Sequence, residues 1–596
     1  MHADTAFKML PSRLTDRRRV FAFGVFVTFV FVYLGFIGKN MSLVSFPKPY
    51  SDGHSGGGRL AEPPFEVGHI GAVDNITWDQ RAEEVKSAFK FAYSCYAKTA
   101  FGSDELLPIA NKTTNSHNGW GTTIVNSIDV MVLMDLKDEL ASAIEHVAGI
   151  NISVTSTRWS NSIHFLETTI RYMGGYLSAY HLLPPSSSDA SILLTQALNL
   201  GSVLLRAFNT SSGLPWPSVL FDPVRDPSAS RSVLLSVIGS CQVEFKYLAH
   251  LTGDARFWKA ADSVTRLMYD QQSKSVVKGI WGDQWDVHTG LPSRVELSMG
   301  GRTNSAYDYL LKQYILSGRT EKYLLKMYIE AMDSIIENML YLSPNRELLY
   351  VTGLETWPGH PVVPTGTFEH ISCSLPGLFA LGADQLDEAE LDVKRRQKYQ
   401  WVAEGLAYTC YLIYAEQRYG LGPELVRFKA LKSKNWGQAL KDWEASPSST
   451  TPGAKPPGVG NLPPVIRDWH QEHDYRGASG DHMLRGEAIE SVYLLWKTTK
   501  DEVWRERGWE MWDAVSRATR TKNGFAWVRN LDGPRLVHWD HQPSSFLAKT
   551  LKYYYLLFSN ADPWPLSKYV FNAEAHPLPI YHLRDWEKRR FRVSAM

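Results

Sequence analysis

Net charge and cysteine are both scarce in this sequence. The 596 residues carry a formal net charge of +1, which gives no electrostatic reason to expect binding to nucleic acid or to an acidic partner. Only four cysteines are present, Cys95, Cys241, Cys373 and Cys410, and their spacing is not that of a metal site. In an oxidising compartment they would allow three full pairings.

Long alternating strand patterns are also lacking, and short hairpins are expected only near 347–352 and 524–538. Apolar residues recur instead at helical spacing from Trp78 onward. About fourteen helices are predicted, at 122–136, 140–149, 162–182, 189–207, 231–251, 255–270, 302–316, 320–340, 369–383, 393–418, 487–498, 502–517 and 544–559, besides the one after Trp78. This all-α block without a linker predicts a ring of paired helices, although the helix count alone would equally allow a solenoid.

The N-terminal region has the pattern of a membrane anchor. Residues 20–38 form a run of 19 residues without a charge, long enough to cross a bilayer. The three arginines at 17–19 predict that the tail 1–19 is cytoplasmic. The stretch 39–77, Pro-, Gly- and Ser-rich over its first part, then reads as a stem. We therefore predict a single-pass type II protein whose remaining residues lie in the lumen of the secretory pathway.

N-glycosylation sequons that begin at Asn75, Asn111, Asn151 and Asn209 agree with that compartment. One low-complexity interruption follows later, at 446–464, SPSSTTPGAKPPGVGNLPP. Its proline and glycine content predicts an exposed loop that does not pack.

Two short stretches carry candidate chemistry. At 482–512, Arg485, Glu487 and Glu490 precede or open an amphipathic helix, where a helix N-terminus favours carboxylate charge. In FLETTIR, Glu167 and Arg171 are four residues apart and share a helix face. Taken alone, these patterns favour a dipole-stabilised first turn and a surface ion pair.

Several segments together resemble the class I α-1,2-mannosidases, glycoside hydrolase family 47. They span about residues 80–580 in family order and include FGSDELLPIA, WGTTIVNSIDVMVLMDL, FLETTIRYMGGYLSAYHL, SCQVEFKYLAHLTGD, GRTNSAYDYLLKQYILSG, GTFEHISCSLPGLFALGAD, LAKTLKYYYLLFS and FNAEAHPLP. The resemblance implies an (α/α)7 barrel over 78–582, followed by a C-terminal tail at 583–596. It also implies a disulfide between Cys373 and Cys410, which leaves Cys95 and Cys241 as buried small apolar residues.

The resemblance assigns roles in an inverting hydrolysis, which needs a carboxylic acid and a carboxylate base held apart by one water. Glu167 matches the general acid and Glu487 the base. The residues that match substrate-binding positions are Arg171, Glu244, Arg302, His370, Arg485, Glu490, Lys549 and Glu574. Polar positions that line the family's cavity are matched by Glu105, Asp129, Gln242, Glu244, Glu369, His370, Glu424, Glu490 and His576, and we expect most of this set to face one pocket.

Several positions depart from the family, among them Ser545, which stands where the family has a Phe. Asn304 stands where the family has a catalytic Asp, and an amide cannot ionise or take up a proton. Gly486 replaces a Pro between Arg485 and Glu487, which is expected to loosen the backbone by about 1 kcal/mol. Ala573 keeps only the backbone carbonyl of a calcium-binding Thr, and Lys549 replaces a Glu.

Calcium requires oxygen ligands and negative charge, so we expect it to bind weakly or not at all. Two alternatives remain for Lys549. Its ammonium could replace the cation and donate hydrogen bonds to Glu574 or to a sugar hydroxyl, or it could point to solvent beside a decayed cavity.

Three functions follow as hypotheses. The first is an α-1,2-mannosidase-like hydrolase of the endoplasmic reticulum or Golgi membrane acting on high-mannose N-glycans or glycoproteins. The second is a weakly active or inactive mannose-glycan-binding pseudoenzyme in glycoprotein quality control, which Asn304, Gly486, Lys549 and Ala573 favour. The third is the same fold retuned to another glycoside without calcium.

Overall fold

The computed structural model describes residues 76–156, 162–220, 231–294, 296–356, 360–468 and 471–593. The predicted cytoplasmic tail (1–19) and membrane anchor (20–38) lie outside the described residues, as does the stem up to residue 75. The chain from Asn75 to Met596 forms one compact unit, and the fold is described for this unit alone.

Pairs of packed helices dominate the described residues. Each inner helix packs against an outer one, and the pairs are Ile128–Leu133 with Lys137–Ala148, Gly174–Leu182 with Ser188–Leu204, Gln242–Thr252 with Ala255–Gln272, Asn304–Leu316 with Lys322–Asn338, Leu375–Gln385 with Val393–Ala415, Glu487–Thr499 with Val503–Thr519, and Leu551–Phe558 with Trp78–Ala100. Within the described ranges this gives seven pairs. Hence the predicted ring of paired helices is confirmed.

The ring is closed by the two ends of the described chain. Each inner helix contacts the next one along the sequence, and the seventh pair joins Leu551–Phe558 to the first long helix, Trp78–Ala100. The π-helix Phe546–Thr550, just before Leu551, also contacts Ile128–Leu133, the inner helix of the first pair. A solenoid would leave its first and last repeats apart, so that alternative is wrong.

Inner and outer helices differ in how they are buried. In the inner helix Asn304–Leu316, residues from 309 to 316 are all buried, including Lys312 and Gln313. The outer helix Lys322–Asn338 buries one stripe, with Leu324, Tyr328 and Ile335 spaced at helical intervals. The polar residues of the inner ring therefore have to be satisfied inside the barrel.

Shorter elements connect the pairs. Further α-helices are Thr122–Asn126, Phe165–Glu167, Leu235–Ile238, Trp436–Glu444 and Asp585–Phe591; a second π-helix is Thr168–Met173; and 3-10 helices are Leu205–Phe208, His370–Ser374, Ala430–Lys432 and Pro447–Thr450. The last α-helix falls in the stretch expected as a C-terminal tail. Its Phe591 is buried and stacks on Trp258.

All strands in the described residues are short and pair antiparallel. They are Glu105–Leu107 with Lys112–Thr114, Ser162–His164 with Ser218–Leu220, Ser232–Leu234 with Gln284–Asp286 and Pro292–Arg294, Glu296–Leu297 with Leu354–Glu355 and Val363–Pro364, Leu340–Leu342 with Leu349–Val351 and Lys434–Asn435, Thr367–Glu369 with Leu425–Phe428 and Tyr475–Ser479, Arg520–Thr521 with Gly524–Phe525, Trp527–Arg529 with Val537–Trp539, and Tyr569–Phe571 with Pro577–Pro579. Both predicted hairpin regions contain such pairs.

The predicted continuous helix at 231–251 is wrong. The chain forms a strand, Ser232–Leu234, then a single helical turn, and only then the helix Gln242–Thr252. The break falls at Gly239, where an added Cβ would lie 2.4 Å from the Cβ of Ala306. The close approach of the helix Asn304–Leu316 therefore requires glycine at this position.

The prediction that 446–464 does not pack is wrong for its second half. Val459 is only 2% exposed, and the carbonyl of Pro457 accepts a hydrogen bond from the Trp436 indole. Gly458 has a φ of +81°, and a Cβ there would lie 2.7 Å from Leu342. Glycine and proline here allow a tight turn against the core instead of preventing packing.

The cysteines follow the implied pairing. Cys373 and Cys410 form a disulfide with a Cα–Cα distance of 5.9 Å, and it ties the 3-10 helix His370–Ser374 to the outer helix Val393–Ala415. Cys241 is a free, buried thiol, as expected. Cys95 is free but only partly buried, so the expectation of burial is wrong for it.

One helical stretch among the described residues, Ser188–Phe208, is long and apolar enough to cross a bilayer. It includes the outer helix of the second pair, and its Leu193, Leu200 and Leu204 are fully buried in the barrel. Its apolar character is thus explained by packing within the unit.

Candidate functional site

Glu167 and Arg171 form part of a buried network that crosses the barrel. Glu167 ends the short helix Phe165–Glu167, and Arg171 lies on the π-helix that follows. Arg171 Nε donates to Glu167 Oε2 at 2.7 Å, and one of its terminal nitrogens donates to Glu574 Oε2 at 2.8 Å. The Arg171 side chain is only 13% exposed. The pair is therefore not the surface ion pair that its spacing alone favoured.

A second cluster surrounds Lys549. This residue lies on the π-helix Phe546–Thr550, and its ammonium contacts Glu487 Oε1 at 3.1 Å, Glu490 Oε2 at 2.8 Å and the carbonyl oxygen of Ala573 at 3.1 Å. Its side chain is 6% exposed. Lys549 therefore does not point to solvent. The expected contact with Glu574 is also wrong, because that carboxylate accepts from Arg171 and Asn126.

The turn between strands Tyr569–Phe571 and Pro577–Pro579 brings the two clusters together. Ala573 in this turn accepts from Lys549, and the next residue, Glu574, accepts from Arg171. The segments of Glu167 and Glu487 therefore converge on the same turn inside the ring. Glu167 keeps 29% of its side chain exposed and Glu487 keeps 12%.

Two further arginines are held by acidic partners at the site's edge. Arg485 Nε lies 2.6 Å from Glu424 Oε2, and Arg302 Nε lies 2.8 Å from Asp283 Oδ2. Their side chains are 40% and 35% exposed. Guanidinium groups held in this way keep donors free for hydroxyl oxygens. Asp283 was missed in the sequence, since nothing in its local pattern separates it from any other Asp.

Asn304 begins the inner helix Asn304–Leu316 and uses its amide as a donor. Its Nδ2 donates to the Ile371 carbonyl at 2.8 Å and to Ser374 Oγ at 2.6 Å. An ionised aspartate has no hydrogen to donate to that carbonyl. The amide at position 304 thus fits its surroundings, which a carboxylate in the same orientation would not.

His370 and Glu244 are buried more deeply than the arginines of the site. His370 Nε2 is 2.6 Å from Tyr414 Oη, and its Nδ1 is 3.9 Å from Glu487 Oε2. Glu244 is fully buried and accepts from Tyr309 at 2.7 Å and from Asn572 at 2.8 Å. Burial raises the pKa of Glu244 to about 7, against the lowering effect of these two hydrogen bonds. Glu244 holds the 572–576 turn through Asn572, and its carboxylate is not exposed to solvent.

Four of the matched polar residues are buried among other polar groups of the ring. Asp129, Gln242 and His576 are at most 1% exposed, and Asp129 pairs with Lys552 at 2.9 Å. Glu105 is also buried, beside His541 at 3.2 Å. These residues satisfy one another inside the ring, as buried polar groups must.

Lys312 is a further residue that the sequence pattern could have indicated. It lies 2.6 Å from Asp308 and 3.7 Å from Glu490. Its spacing of four residues from Asp308 on a buried helix is a typical ion-pair pattern. The Glu490 carboxylate is therefore approached by two ammonium groups.

The lowered pKa values of Glu167 and Glu487 oppose the acid and base roles that the resemblance implies. Burial raises the pKa of Glu167, but the neighbouring Arg171, His117 and His164 outweigh it and bring the pKa to about 2. A general acid must hold a proton near neutral pH, and the contact with Arg171 opposes this for Glu167. For Glu487 the same opposition, chiefly from Lys549 and Arg485, also gives a pKa of about 2, which makes a weak base.

The residues do not fit a calcium ion. Calcium takes six to eight oxygen ligands, whereas the Glu487 and Glu490 carboxylates and the Ala573 carbonyl all meet an ammonium here. Within the described ranges there is no group of three or more His, Cys, Asp or Glu side chains able to hold a metal. The site therefore contains a cation of its own where the resemblance implies a bound ion.

Glycoside hydrolases use a pair of Asp or Glu side chains, and Glu167 and Glu487 are two partly exposed carboxylates within this ring of paired helices. Residues 88–580 match the model of glycosyl hydrolase family 47. The chain belongs to this family.

Named relatives agree with the family. The chain is 31% identical over 533 residues to a mannosyl-oligosaccharide alpha-1,2-mannosidase of Coccidioides posadasii, which covers 86% of this chain and 93% of the relative. It is 31% identical over 535 residues to mannosyl-oligosaccharide 1,2-alpha-mannosidase IB of Mus musculus, covering 88% and 73%. The solved α-1,2-mannosidase of Trichoderma reesei is 26% identical, with a TM-score of 0.72 over 84% of this chain and 99% of that one.

Proposed function

We propose that this protein binds the mannose residues of high-mannose N-glycans in its family 47 cavity and hydrolyses them slowly or not at all. The substrate class is supported by the names of relatives that are mannosyl-oligosaccharide 1,2-α-mannosidases. The observation that carries the proposal is the ammonium of Lys549 set between Glu487 and Glu490. It keeps the implied base paired and ionised.

Binding is favoured by the groups that remain directed at the cavity. Arg302 and Arg485 keep more than a third of their side chains exposed while acidic partners fix their position. Glu167 is held by Arg171 and retains accessible oxygen. Fixed donors and acceptors of this kind recognise sugar hydroxyls without needing to move a proton.

Turnover is disfavoured at three positions. Burial raises the pKa of Glu167, but Arg171 and two histidines bring it to about 2, which opposes protonation of the leaving oxygen. Glu487 is a weak base, and Asn304 cannot ionise at all. The loss of one positioned acid–base group typically costs 10²–10⁴-fold in rate.

The second candidate function is an active inverting α-1,2-mannosidase. It is favoured by the partial exposure of both side chains, 29% for Glu167 and 12% for Glu487. In that case Glu167 would protonate the glycosidic oxygen, and Glu487 would take a proton from the attacking water. Both steps require the substrate to alter the contacts of Arg171 and Lys549.

The location is proposed to be the membrane of the endoplasmic reticulum or Golgi, with the barrel in the lumen. The Cys373–Cys410 disulfide favours an oxidising compartment. Some relatives are named endoplasmic reticulum mannosyl-oligosaccharide 1,2-alpha-mannosidases. The charge-free stretch at 20–38 supplies the anchor.

The test uses the full-length protein in detergent with a high-mannose glycan. We expect saturable glycan binding and mannose release at least about 100-fold slower than that of an active relative. Arg302→Ala should weaken binding, whereas Arg319→Ala, a similarly exposed arginine paired with Glu390 away from the site, should not. Release at the relative's rate would support the second candidate, and neither binding nor release would reject both.

A further inference from the structure

Three of the departures from the family pattern meet at one point in the barrel. Lys549 extends its side chain across Gly486 to the carbonyl of Ala573. We propose that Lys549 is a tethered cation that replaces the divalent ion of the site. On this proposal, which rests on the proposed glycan binding, Lys549 is a positioning residue that makes recognition independent of calcium.

The ammonium has the surroundings of a bound cation. It touches oxygens from two separate segments, the first turn of Glu487–Thr499 and the Ala573 carbonyl, at 2.8–3.1 Å. An ammonium has three hydrogens to donate, and these three oxygens can accept all of them. Two carboxylates and one carbonyl dipole face a charge whose side chain is 6% exposed. Such a buried cation is stable only with partners of this kind.

Gly486 provides the space that the lysine needs. An added Cβ at this position would lie 2.9 Å from Lys549 Cγ and 3.3 Å from Lys549 Cδ. The φ of Gly486 is −99°, so its backbone does not require glycine. The absence of a side chain is therefore explained by the path of Lys549 and not by backbone strain.

Lys549 also determines which hydrogen-bonding groups of the site remain for a ligand. Because its three donors are used by the protein, a sugar hydroxyl would be bound by the carboxylates that Lys549 holds in place. Glu487 keeps 12% of its side chain exposed beside this ammonium. A carboxylate accepts hydrogen bonds from hydroxyl donors. The chemistry thus favours a neutral polyhydroxylated ligand.

The first test compares the wild-type protein with and without calcium. Thermal unfolding of the full-length protein should shift by less than about 1 °C between added CaCl₂ and EDTA, because only an ion that binds the folded state raises its stability. Glycan affinity should be equal in both buffers. Stabilisation by calcium, or glycan binding that EDTA abolishes, would overturn the role given to Lys549.

The second test restores the implied ligands. Lys549→Glu combined with Ala573→Thr replaces the ammonium by carboxylate and hydroxyl oxygens, so the melting temperature should become calcium-dependent by several degrees, ~4 °C or more. A double variant that folds and ignores calcium would contradict the proposal. If it does not fold, the wild-type comparison with EDTA still decides.

The matched control is Lys552, one turn further along the chain. It is equally buried and pairs with Asp129 at 2.9 Å and the Ala575 carbonyl at 2.6 Å. Lys549→Met should weaken glycan binding of the folded protein by at least about tenfold, and Lys552→Met should leave it within about twofold. Equal effects would mean that Lys549 is only structural. Absence of glycan binding by the wild type would reject the proposed function, while the calcium experiments would still test the lysine.

Discussion

Asn304 donates its amide hydrogens to the Ile371 carbonyl and to Ser374 Oγ, which lie in the 3-10 helix just before the neighbouring inner helix. This contact joins the fourth and fifth helix pairs of the ring. The amide therefore has a structural role, besides removing a carboxylate from the cavity.

Asn304→Asp is the first prediction. An ionised Asp leaves the Ile371 carbonyl without its donor, so the free energy of unfolding should fall by about 1–3 kcal/mol at neutral pH. Mannose release should not increase, because Glu487 stays paired with Lys549. Urea unfolding and a mannose-release assay provide the measurements.

Low pH offers an internal control for this variant. Below the ordinary Asp pKa of about 3.9 the protonated acid can donate again, and the stability difference from wild type should shrink. A difference that is constant with pH, or restored turnover by the single substitution, would contradict the explanation.

Gly486→Ala is the second prediction. The new Cβ would meet the stem of Lys549 at 2.9 Å, and overpacking of this kind typically costs about 1–3 kcal/mol. In Lys549→Ala the same substitution should cost less, which gives a coupling of about 0.5–2 kcal/mol in a double-mutant cycle. Gly149→Ala is the control, since its Cβ meets nothing closer than 3.5 Å. Additive effects at 486 and 549 would exclude the steric link.

Glu244 provides a third prediction, on pH. Burial raises its pKa in the folded state to about 7 from an ordinary 4.5, so the folded protein holds this proton more tightly than the unfolded chain does. Its unfavourable effect is absent below about pH 4.5 and grows to about 3 kcal/mol as the pH rises to 7.

Glu244→Gln removes this titration. Stability measured by urea unfolding should then fall less between pH 4.5 and 7 than in the wild type, and the two profiles should run parallel above pH 8. Glu321→Gln is a second case in the same direction, because burial also raises the pKa of Glu321, although Lys246 lies 2.6 Å away and lowers it. Identical profiles for wild type and Glu244→Gln would contradict the assigned shift.

The fourth prediction concerns the thiols. The unfolded, unreduced protein should react with a thiol reagent at two positions per chain, Cys95 and Cys241, and at all four after reduction. Removing the Cys373–Cys410 link should lower stability by about 2–4 kcal/mol. Cys241→Ala, which leaves the disulfide intact, is the control. Four reactive thiols before reduction would contradict the pairing.

Much of the fold could be predicted from periodicity, because apolar residues recur at helical spacing in long amphipathic helices. The start of the helix at Glu487 and the hairpin near 347–352 were placed correctly. Interruptions were not, since the break at Gly239 depends on Ala306, which lies far away in the sequence. Packing of Gly458 against Leu342 was hidden for the same reason.

The site was predictable as a set of residues but not as a set of partners. Family order identified Glu167, Glu487 and Asn304, yet the charge state of Glu167 follows from Arg171, His117 and His164 around it. From the sequence, Gly486 was interpreted as a position that loosens the backbone. In the structure its missing side chain leaves room for the side chain of Lys549. Which oxygens a lysine reaches is decided by tertiary contact, and no local pattern encodes it.

The seventh helix pair has a consequence for synthesis. Trp78–Ala100 leaves the ribosome early, but its partner Leu551–Phe558 is translated more than 450 residues later. At a translation rate of about 5–20 residues per second, the apolar face of the first helix stays without its partner helix for tens of seconds. Until then the ring of helix pairs cannot close, so the final fold can form only after translation is nearly complete. The exposed face of the first helix is the natural place for a chaperone to act.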